Sequence, residues 1–287
     1  MQANVKPLPA ARTGAETVPQ PWTTDVLRME IEKRRRVEEL LIRRNRQMLD
    51  DLRLAAQFQR SVLPKLTALP YLDMEVRYRP HNEVSGDIYD VMHNREGDIG
   101  ILVGDATGHG LTAAFMTMMM HSALDNMRRD LPTDQTITRL NMLLSERPTG
   151  RAITAVFFRI RSDGLLTVTH AGHPSLIVMP TSGPTKTFKE GGCALGMFVD
   201  APVPYLLETH VLGAGDTIIA YTDGVLECRN PKGEAFGIDR LTGWLQSPKS
   251  ADLDLLLDRL LDTLLQHCGD DAQDDITVLA CRYKPTT

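Results

Sequence analysis

The sequence contains no apolar run long enough to cross a lipid bilayer. Its longest apolar stretch, residues 115–120, is broken by Thr117, whereas a spanning helix needs about 20 apolar residues. The N-terminus also lacks the apolar core that marks a secretory signal peptide. These absences favour a soluble, cytoplasmic protein that has no membrane partner.

The sequence also contains few cysteines and has no excess of positive charge. The four cysteines, at positions 193, 228, 268 and 281, show no metal-ligand spacing, which argues against a thiolate metal site and predicts free thiols in a reducing compartment. No Gly-x-Ser-x-Gly sequence offers a serine nucleophile. The formal net charge of −5 argues against nucleic acid as a partner of the main body.

Proline and glycine are missing from residues 25–63, where the helix formers Arg, Glu, Leu and Gln dominate. This composition predicts a long helical linker, closed by Pro64, between an aperiodic tail at residues 1–24 and a domain at residues 64–287. Seven positions in the helix are spaced alternately by four and three residues, as in a coiled-coil seam: Leu41, Asn45, Met48, Leu52, Ala55, Gln59 and Val62. The seam favours a parallel homodimer through residues 37–62. The alternative is a single helix that docks on the chain's own domain.

After Pro64 the chain changes to short apolar segments separated by turn residues. The apolar patterns predict strands at residues 73–78, 87–92, 99–103, 153–160, 165–170, 175–179, 217–221 and 276–282. A 3.6-residue period predicts helices at residues 111–129, 134–144, 238–246 and 251–267. Strands in runs, interrupted by pairs of helices, predict an α+β domain of mostly antiparallel sheet covered by helices.

Aspartates stand where several of these strands begin or end. Asp87 opens one strand and Asp105 follows another. Asp223 follows a third, and Asp274 and Asp275 precede the last. Carboxylates that are brought together repel one another unless a cation joins them. Because the set contains no His or Cys, it favours a hard divalent ion such as Mg²⁺ or Mn²⁺.

The same stretches resemble the metal-dependent protein phosphatases of the PPM type, in the branch typified by SpoIIE and RsbU. The resemblance rests on seven motifs in family order: S-G-D-I-Y-D at 85–90, G-D-A-T-G-H-G at 104–110, T-A at 154–155, A-G-H-P at 171–174, A-L-G at 194–196, Y-T-D-G-V-L-E at 221–227 and D-D-I-T-V-L at 274–279. It implies the PPM phosphatase fold, a central β-sandwich of mostly antiparallel sheets flanked by helices and preceded here by the long N-terminal helix.

By this resemblance, two Mn²⁺ or Mg²⁺ ions would lie between the sheets. Asp87 would bind one ion, and Asp105 would bridge both. The Ala106 carbonyl would ligate one of them, and Asp223 would bind the other. The final ligand would be one of the two acids at 274–275, of which the first matches the family position best. Two such ions lower the pKa of a water and neutralise charge on phosphoryl oxygens.

Further residues near the acids have supporting or open roles. His109 is either a general acid for the leaving oxygen, a catalytic residue beside Asp105, or a structural residue that shapes its loop. Positions that bind the substrate or support the ligands are predicted at Asp90, Thr107, Gly108, Gly224 and His173.

The resemblance implies a phosphatase of phosphoserine and phosphothreonine in proteins. Its substrate would be a phosphorylated STAS-domain anti-anti-sigma protein in a partner-switching pathway, and an activator protein would act at the N-terminal helix. Two alternatives keep the site but change the function. One is a pseudo-phosphatase that binds phosphoproteins as a scaffold, and the other is a hydrolase of small phosphate esters.

Overall fold

The computed structural model describes residues 24–66, 69–108, 110–146, 150–198, 204–246, 252–269 and 273–285. The chain divides into two units, of which the first ends at Asp50 and the second begins at Asp51. Helix α1, Thr24–Val62, confirms the long helix predicted at 25–63. Nearly all of the predicted tail, residues 1–24, lies outside the described residues. Within the described ranges, no helix has both the length and the apolarity that a bilayer span requires.

The second unit contains ten strands and five further helices in its described residues. The strands are β1 Leu72–Arg79, β2 Asp87–His93, β3 Ile99–Ala106, β4 Ile153–Ile160, β5 Leu165–Ala171, β6 Leu176–Met179, β7 Lys186–Phe188, β8 Glu208–Val211, β9 Thr217–Tyr221 and β10 Ile276–Tyr283. The helices are α2 Leu111–Asp125, α3 Thr133–Ser145, α4 Gly224–Glu227, α5 Gly237–Gln246 and α6 Leu253–Cys268.

The strands form two five-stranded sheets whose described pairings are all antiparallel. Sheet A has the order β1-β10-β9-β6-β7, and sheet B has the order β2-β3-β4-β5-β8. The α+β sandwich expected from the sequence is therefore confirmed.

Side-chain alternation along the strands divides the core into layers. In β3, Ile101 and Val103 are buried between the two sheets, whereas Leu102 packs with α2 and α3 on the other face of sheet B. On sheet A, Val278 packs with Leu260 and other residues of α5 and α6. The two sheets thus face each other, and each carries helices on its outer face.

Three short elements, β7, β8 and α4, are not predicted from the sequence. β7 and β8 are edge strands with mostly exposed side chains, so they carry no buried apolar pattern. Helix α2 was expected to reach residue 129, but it ends at Asp125. The chain turns there, and the Met127 amide donates to the Leu124 carbonyl three residues earlier.

The last part of α1 packs against its own domain. Leu52 and Ala55 contact a small apolar cluster that includes Val84 and Ala114 of α2, and Gln59 is buried with 5% of its surface exposed. From residue 52 onwards the seam is therefore partly covered within the chain, as in the docked-helix alternative. The homodimer through residues 37–62 stays a prediction.

Candidate active site

A cavity of 810 Å³ opens where acids from both sheets meet. Its lining includes Asp105, which lies near the end of β3 in sheet B. It also includes Asp223, which follows β9, and Asp274 and Asp275, which precede β10, all at strand ends of sheet A. The structure therefore brings together the aspartates that the sequence places at separate strand ends.

Asp87 is the most deeply buried of the acids, with 2% of its surface exposed. It lies directly opposite Asp105 in the β2–β3 register, so the two side chains are on the same face of sheet B. Its Oδ2 accepts hydrogen bonds from the hydroxyls of Thr222, at 2.9 Å, and Thr277, at 2.5 Å. Its Oδ1 is buried and has no hydrogen-bond partner among the described residues. A buried carboxylate oxygen left without a donor is costly, and a cation would satisfy it.

The neighbouring acids are difficult to ionise together. Burial, followed by the charges of Asp223 and Asp274, raises the pKa of Asp105 to about 8. Burial, followed by the charge of Asp274, raises the pKa of Asp223 to about 6. Burial and Asp105 also hold the pKa of Asp87 well above its usual range. Each shift has the sign expected for carboxylates crowded in the absence of a positive partner.

This donor set fits divalent ions in its chemistry. It consists of carboxylate oxygens, together with the backbone carbonyl of the fully buried Ala106, which are the ligands that Mg²⁺ and Mn²⁺ prefer. In the described part of the chain, no three acidic, histidine or cysteine side chains converge tightly enough to form a ready-made metal cage.

Asp274 and Asp275 occupy different environments. Both oxygens of Asp275 accept backbone amides, Oδ1 from His81 and Oδ2 from Gly86, each at 2.7 Å. Asp275 is buried, whereas Asp274 is exposed and its charge acts on both Asp105 and Asp223. The geometry therefore favours Asp274 as the ligand and gives Asp275 the task of holding the loop before Asp87.

We expect asparagine at these two positions to have different effects. Asp274→Asn removes a carboxylate charge from the acid cluster. If Asp274 is a ligand, the Mn²⁺ concentration for half-maximal binding should rise about 10- to 100-fold while the melting temperature in EDTA is maintained. Asp275→Asn replaces one of the two acceptor oxygens with an NH₂ group, so one backbone amide loses its hydrogen bond and faces another donor. This change should lower the free energy of unfolding by about 1–3 kcal/mol. Calorimetric Mn²⁺ titration and thermal melts of both variants measure these effects. The reverse pattern would assign the ligand role to Asp275.

The loop after Asp105 is held by Arg151 and Ala152, which precede β4. The Thr107 amide donates to the Ala152 carbonyl at 2.9 Å, and the Ala152 amide donates to the Thr107 hydroxyl at 3.0 Å. The Arg151 guanidinium donates to the Thr107 carbonyl at 2.6 Å and lies against Gly108. A Cβ on Gly108 would overlap with this guanidinium, at 1.8 Å, and the φ of +89° also favours glycine. Thr107 and Gly108 line the cavity, whereas His109 lies outside the described residues.

Position 224 requires glycine because the start of α4 lies very close to the segment that precedes β10. It opens α4 immediately after Asp223, and a Cβ at this position would lie 1.9 Å from the Asp275 carbonyl oxygen and 3.5 Å from the Asp274 Cβ. The absence of a side chain at Gly224 therefore lets the two acid-bearing segments of sheet A lie against each other.

His173 and Asp90 do not line the cavity. His173 is fully buried, and its Nδ1 lies 2.9 Å from the hydroxyl of Thr154, which does line it. Burial lowers the pKa of His173 to about 3, so the ring is neutral and supports the cavity wall from behind. The Asp90 carboxylate lies 2.6 Å from Nδ1 of His121 on α2. Asp90 therefore ties β2 to α2.

Several contributing residues are missed by reasoning from the sequence. The hydroxyls of Thr222 and Thr277 hold Asp87 in place. The sequence signal for them is their position in the motifs, where Thr222 precedes Asp223 and Thr277 stands two residues after Asp275. The contact of Arg151 with Gly108 could not be predicted from a motif. Arg151 precedes β4, and the pairing of β3 with β4 brings it to Gly108.

Comparison with known proteins identifies related sequences. The family model for Stage II sporulation protein E (SpoIIE) matches residues 95–284. Protein IcfG of Synechocystis is 26% identical over 262 residues, which cover 80% of this chain and 41% of IcfG. Phosphoserine phosphatase RsbU of Bacillus subtilis is 24% identical over 239 residues, which cover 82% of this chain and 70% of RsbU. The chain therefore spans less than half the length of IcfG and about two thirds of RsbU.

Among solved structures, the SiaA-PP2C domain of Pseudomonas aeruginosa superposes on this chain with a TM-score of 0.74. The two are 23% identical, and the match covers 84% of this chain and 98% of that domain. At this identity the likeness concerns the fold, and it agrees with the paired sheets and flanking helices described above.

Proposed function

Because the chain belongs to the SpoIIE family, we propose that it is a metal-dependent phosphatase of phosphoserine and phosphothreonine in proteins. The observation that carries the proposal is the cluster of aspartates, drawn from both sheets, around one open cavity. The buried, unpartnered oxygen of Asp87 and the raised pKa of Asp105 are features that divalent ions would resolve.

The residues that would hold the ions are Asp87, Asp105, Asp223 and Asp274, with the Ala106 carbonyl. Ions bound there would lower the pKa of a water and offset the charge that builds on the phosphoryl oxygens. The chain's own part is to hold the acids in place, through the hydroxyls on Asp87 and the backbone amides on Asp275. Without cations the same carboxylates would repel a phosphomonoester dianion.

A protein substrate suits the surroundings of the cavity better than a small ester. The cavity is open, and its lining includes Leu111, which is 43% exposed. Phe115, one turn further along α2, is 60% exposed. This apolar surface suits the polypeptide that flanks a phosphorylated residue, and a nucleotide or sugar phosphate would leave it unused. On the resemblance to RsbU, we extend the proposal to a STAS-domain phosphoprotein.

The regulatory part of the proposal concerns α1. We propose that an activator protein or a second copy of the chain binds α1 before residue 51, where the seam positions Leu41, Asn45 and Met48 lie. Leu41 and Met48 are exposed, and a lone helix cannot bury such a seam by itself. The composition favours the cytoplasm as the place of action.

Phosphate release from three substrates tests the function. A phosphoserine STAS-domain protein, an unrelated phosphoserine peptide and a nucleotide would be compared with Mn²⁺ and with EDTA. We expect turnover that EDTA abolishes, with kcat/KM at least about 100-fold higher on the phosphoprotein than on the nucleotide, since the flanking polypeptide adds binding energy.

The other outcomes separate the alternatives. Equal rates on the nucleotide would establish a small-ester hydrolase. Turnover of the peptide without turnover of the STAS protein would retain the phosphatase and reject the substrate. Mn²⁺ binding without turnover of any substrate would establish the scaffold.

A further inference from the structure

Strand β8 forms one edge of sheet B and pairs with a single neighbour, β5. Just beyond its end, the Leu212 amide donates to the Gly164 carbonyl at 2.9 Å, and this bond fixes which groups of the strand face β5. Because hydrogen-bonded and non-hydrogen-bonded pairs alternate along an antiparallel ladder, Thr209 and Val211 direct their backbone amides and carbonyls away from β5. Among the described residues, none forms a hydrogen bond with these outward groups. This edge of sheet B is therefore open to another strand.

The sequence around β8 lacks the residues that protect many sheet edges. Residues 206–212 read L-L-E-T-H-V-L and contain no lysine, arginine or proline, although a lysine or a proline is a common device against edge-to-edge pairing. Leu206 is 78% exposed, and Val211 is 68% exposed. Exposed apolar side chains beside free backbone groups favour a polypeptide strand, rather than a small ligand, as the occupant of this edge.

The charged groups along β8 indicate which strand would fit. Glu208 and His210 lie on the same face of the sheet, because they are two residues apart in a strand. On that face, Nζ of Lys186 in β7 lies 3.3 Å from Nδ1 of His210, and the His210 ring packs edge-on against Phe188. The edge thus carries a negative charge at Glu208 and a positive charge beside His210. Such an edge is complementary to an antiparallel copy of itself, because reversal of the strand brings each acid opposite the basic position of the other copy.

A two-fold axis between two copies of β8 satisfies these charges in one register. Because the outward backbone groups occur at alternate positions, the axis can pass through residue 208, 209 or 210. An axis at 208 would place the two Glu208 side chains opposite each other, and an axis at 210 would bring His210 and Lys186 of both copies together. Like charges that lie directly opposite each other are unfavourable. An axis at Thr209 instead places Glu208 of each copy opposite His210 of the other.

We propose that β8 is an interface at which a second copy of this chain adds its own β8, antiparallel and centred on Thr209. In this register Leu207 lies opposite Val211 of the second copy, so exposed apolar side chains cover each other. Sheet B of one copy then continues into sheet B of the other. The pairing goes beyond the proposed phosphatase function and does not involve α1. Because the contact is short, we expect a weak dimer that forms as the protein concentration rises.

Amide hydrogen exchange of the full wild-type chain tests the pairing without a substitution. The amides of Thr209 and Val211 face solvent in a single copy and donate to the second copy in the pair. Their exchange should therefore slow at least about 10-fold between dilute and concentrated protein. The amides of His210 and Leu212 face β5 and are internal controls, so their exchange should not depend on concentration. Sedimentation velocity at the same concentrations measures the fraction of dimer.

Cysteine substitutions test the register. Thr209 is exposed, and Thr209→Cys would place two thiols across the axis with Cα atoms about 5.5 Å apart, a separation that a disulfide spans. Oxidised glutathione should therefore convert most of this variant to a covalent dimer. Val211→Cys is the matched control, because position 211 would lie about 13 Å along the strand from its own copy and should stay uncrosslinked. Wild-type protein treated in the same way measures the background from the native cysteines.

A charge reversal provides a second set of variants if a cysteine disturbs folding. Glu208→Lys would face His210 and Lys186 of the second copy, so the dissociation constant of the dimer should rise about 10-fold. Adding Lys186→Glu to the same chain should restore the wild-type value. This rescue would not be expected if position 208 affected only the folding of each copy.

The inference is overturned if the exchange of the Thr209 and Val211 amides is the same at every concentration. Association without slower exchange at these amides would assign the contact to another surface, such as α1, and would reject β8 as the interface. Equal crosslinking of Val211→Cys and Thr209→Cys would reject the register. Slower exchange only after a phosphoprotein is added would reject the second copy in favour of that partner. None of these measurements depends on phosphatase activity, so failure of the proposed function would leave the test intact.

Discussion

Replacing Asp105 with asparagine is expected to reduce metal-dependent phosphate release by at least about 10³-fold, equivalent to about 4 kcal/mol of transition-state stabilisation. Asp105 is flanked by Asp87 across the sheet and is acted on by the charges of Asp223 and Asp274, so it is the central member of the acid cluster. An asparagine there keeps the shape of the side chain but removes the charge that would join ions on both sides.

The same substitution has a second expected effect, on stability without metal. Ionised Asp105 is unfavourable in the folded protein, as its pKa of about 8 shows. Removing this charge should leave the melting temperature in EDTA, at neutral pH, unchanged or higher. The rise in melting temperature that Mn²⁺ produces should become smaller, because less metal is bound.

Asp262→Asn is the matched control, since Asp262 is exposed on α6, and it should behave as the wild type in both assays. If Asp105→Asn retained more than a tenth of the wild-type rate, the bridging role would be wrong. If its melting temperature fell sharply in EDTA, the lost activity would reflect misfolding.

Replacing Gly224 with alanine is expected to cause the largest loss of stability. The new Cβ would lie 1.9 Å from the Asp275 carbonyl oxygen, and Asp275 is itself anchored by the amides of His81 and Gly86. Because neither side can move freely, we expect a loss of about 3 kcal/mol, which corresponds to a fall in melting temperature on the order of 10 °C. Thermal melts in EDTA measure this effect without metal.

Gly243→Ala is the control for Gly224→Ala. Gly243 lies inside α5 with open space around its Cβ position, so alanine should stabilise the protein by about 1 kcal/mol through helix propensity. A Gly224→Ala variant as stable as the wild type would mean that α4 and the start of β10 separate easily, contrary to the close contact described above.

The positions of the acids could be predicted from the sequence because they depend on local patterns. An apolar strand that leads into Asp, with Gly one to three residues later, places a carboxylate at the end of a strand, as at Asp105 and Asp223. The different environments of Asp274 and Asp275 could not be predicted in this way. They depend on the amides of His81 and Gly86, which lie nearly 200 residues away in the chain. His81 reaches Asp275 because β1 pairs with β10 in sheet A, and Gly86 reaches it because the start of β2 in sheet B lies against that end of sheet A.

The seam in α1 shows a second limit of sequence patterns. Spacings of four and three residues indicate that one face of the helix is covered, but they do not indicate what covers it. Gln59 would be an unfavourable position in a dimer seam, whereas in the structure it is one of the best-connected polar residues of the interface. Its polar character was the available signal that this part of the seam meets backbone rather than an apolar partner.

The division of the acids between the two sheets has a consequence for the rate at which the protein unfolds. Asp87 and Asp105 belong to sheet B, whereas Asp223 and Asp274 adjoin strands of sheet A, and the hydroxyls of Thr222 and Thr277 already cross between them to Asp87. Ions held by all four acids would act as a clamp between the halves of the sandwich. The sheets could then separate only after the ions had dissociated, so bound metal would slow unfolding by raising its activation barrier.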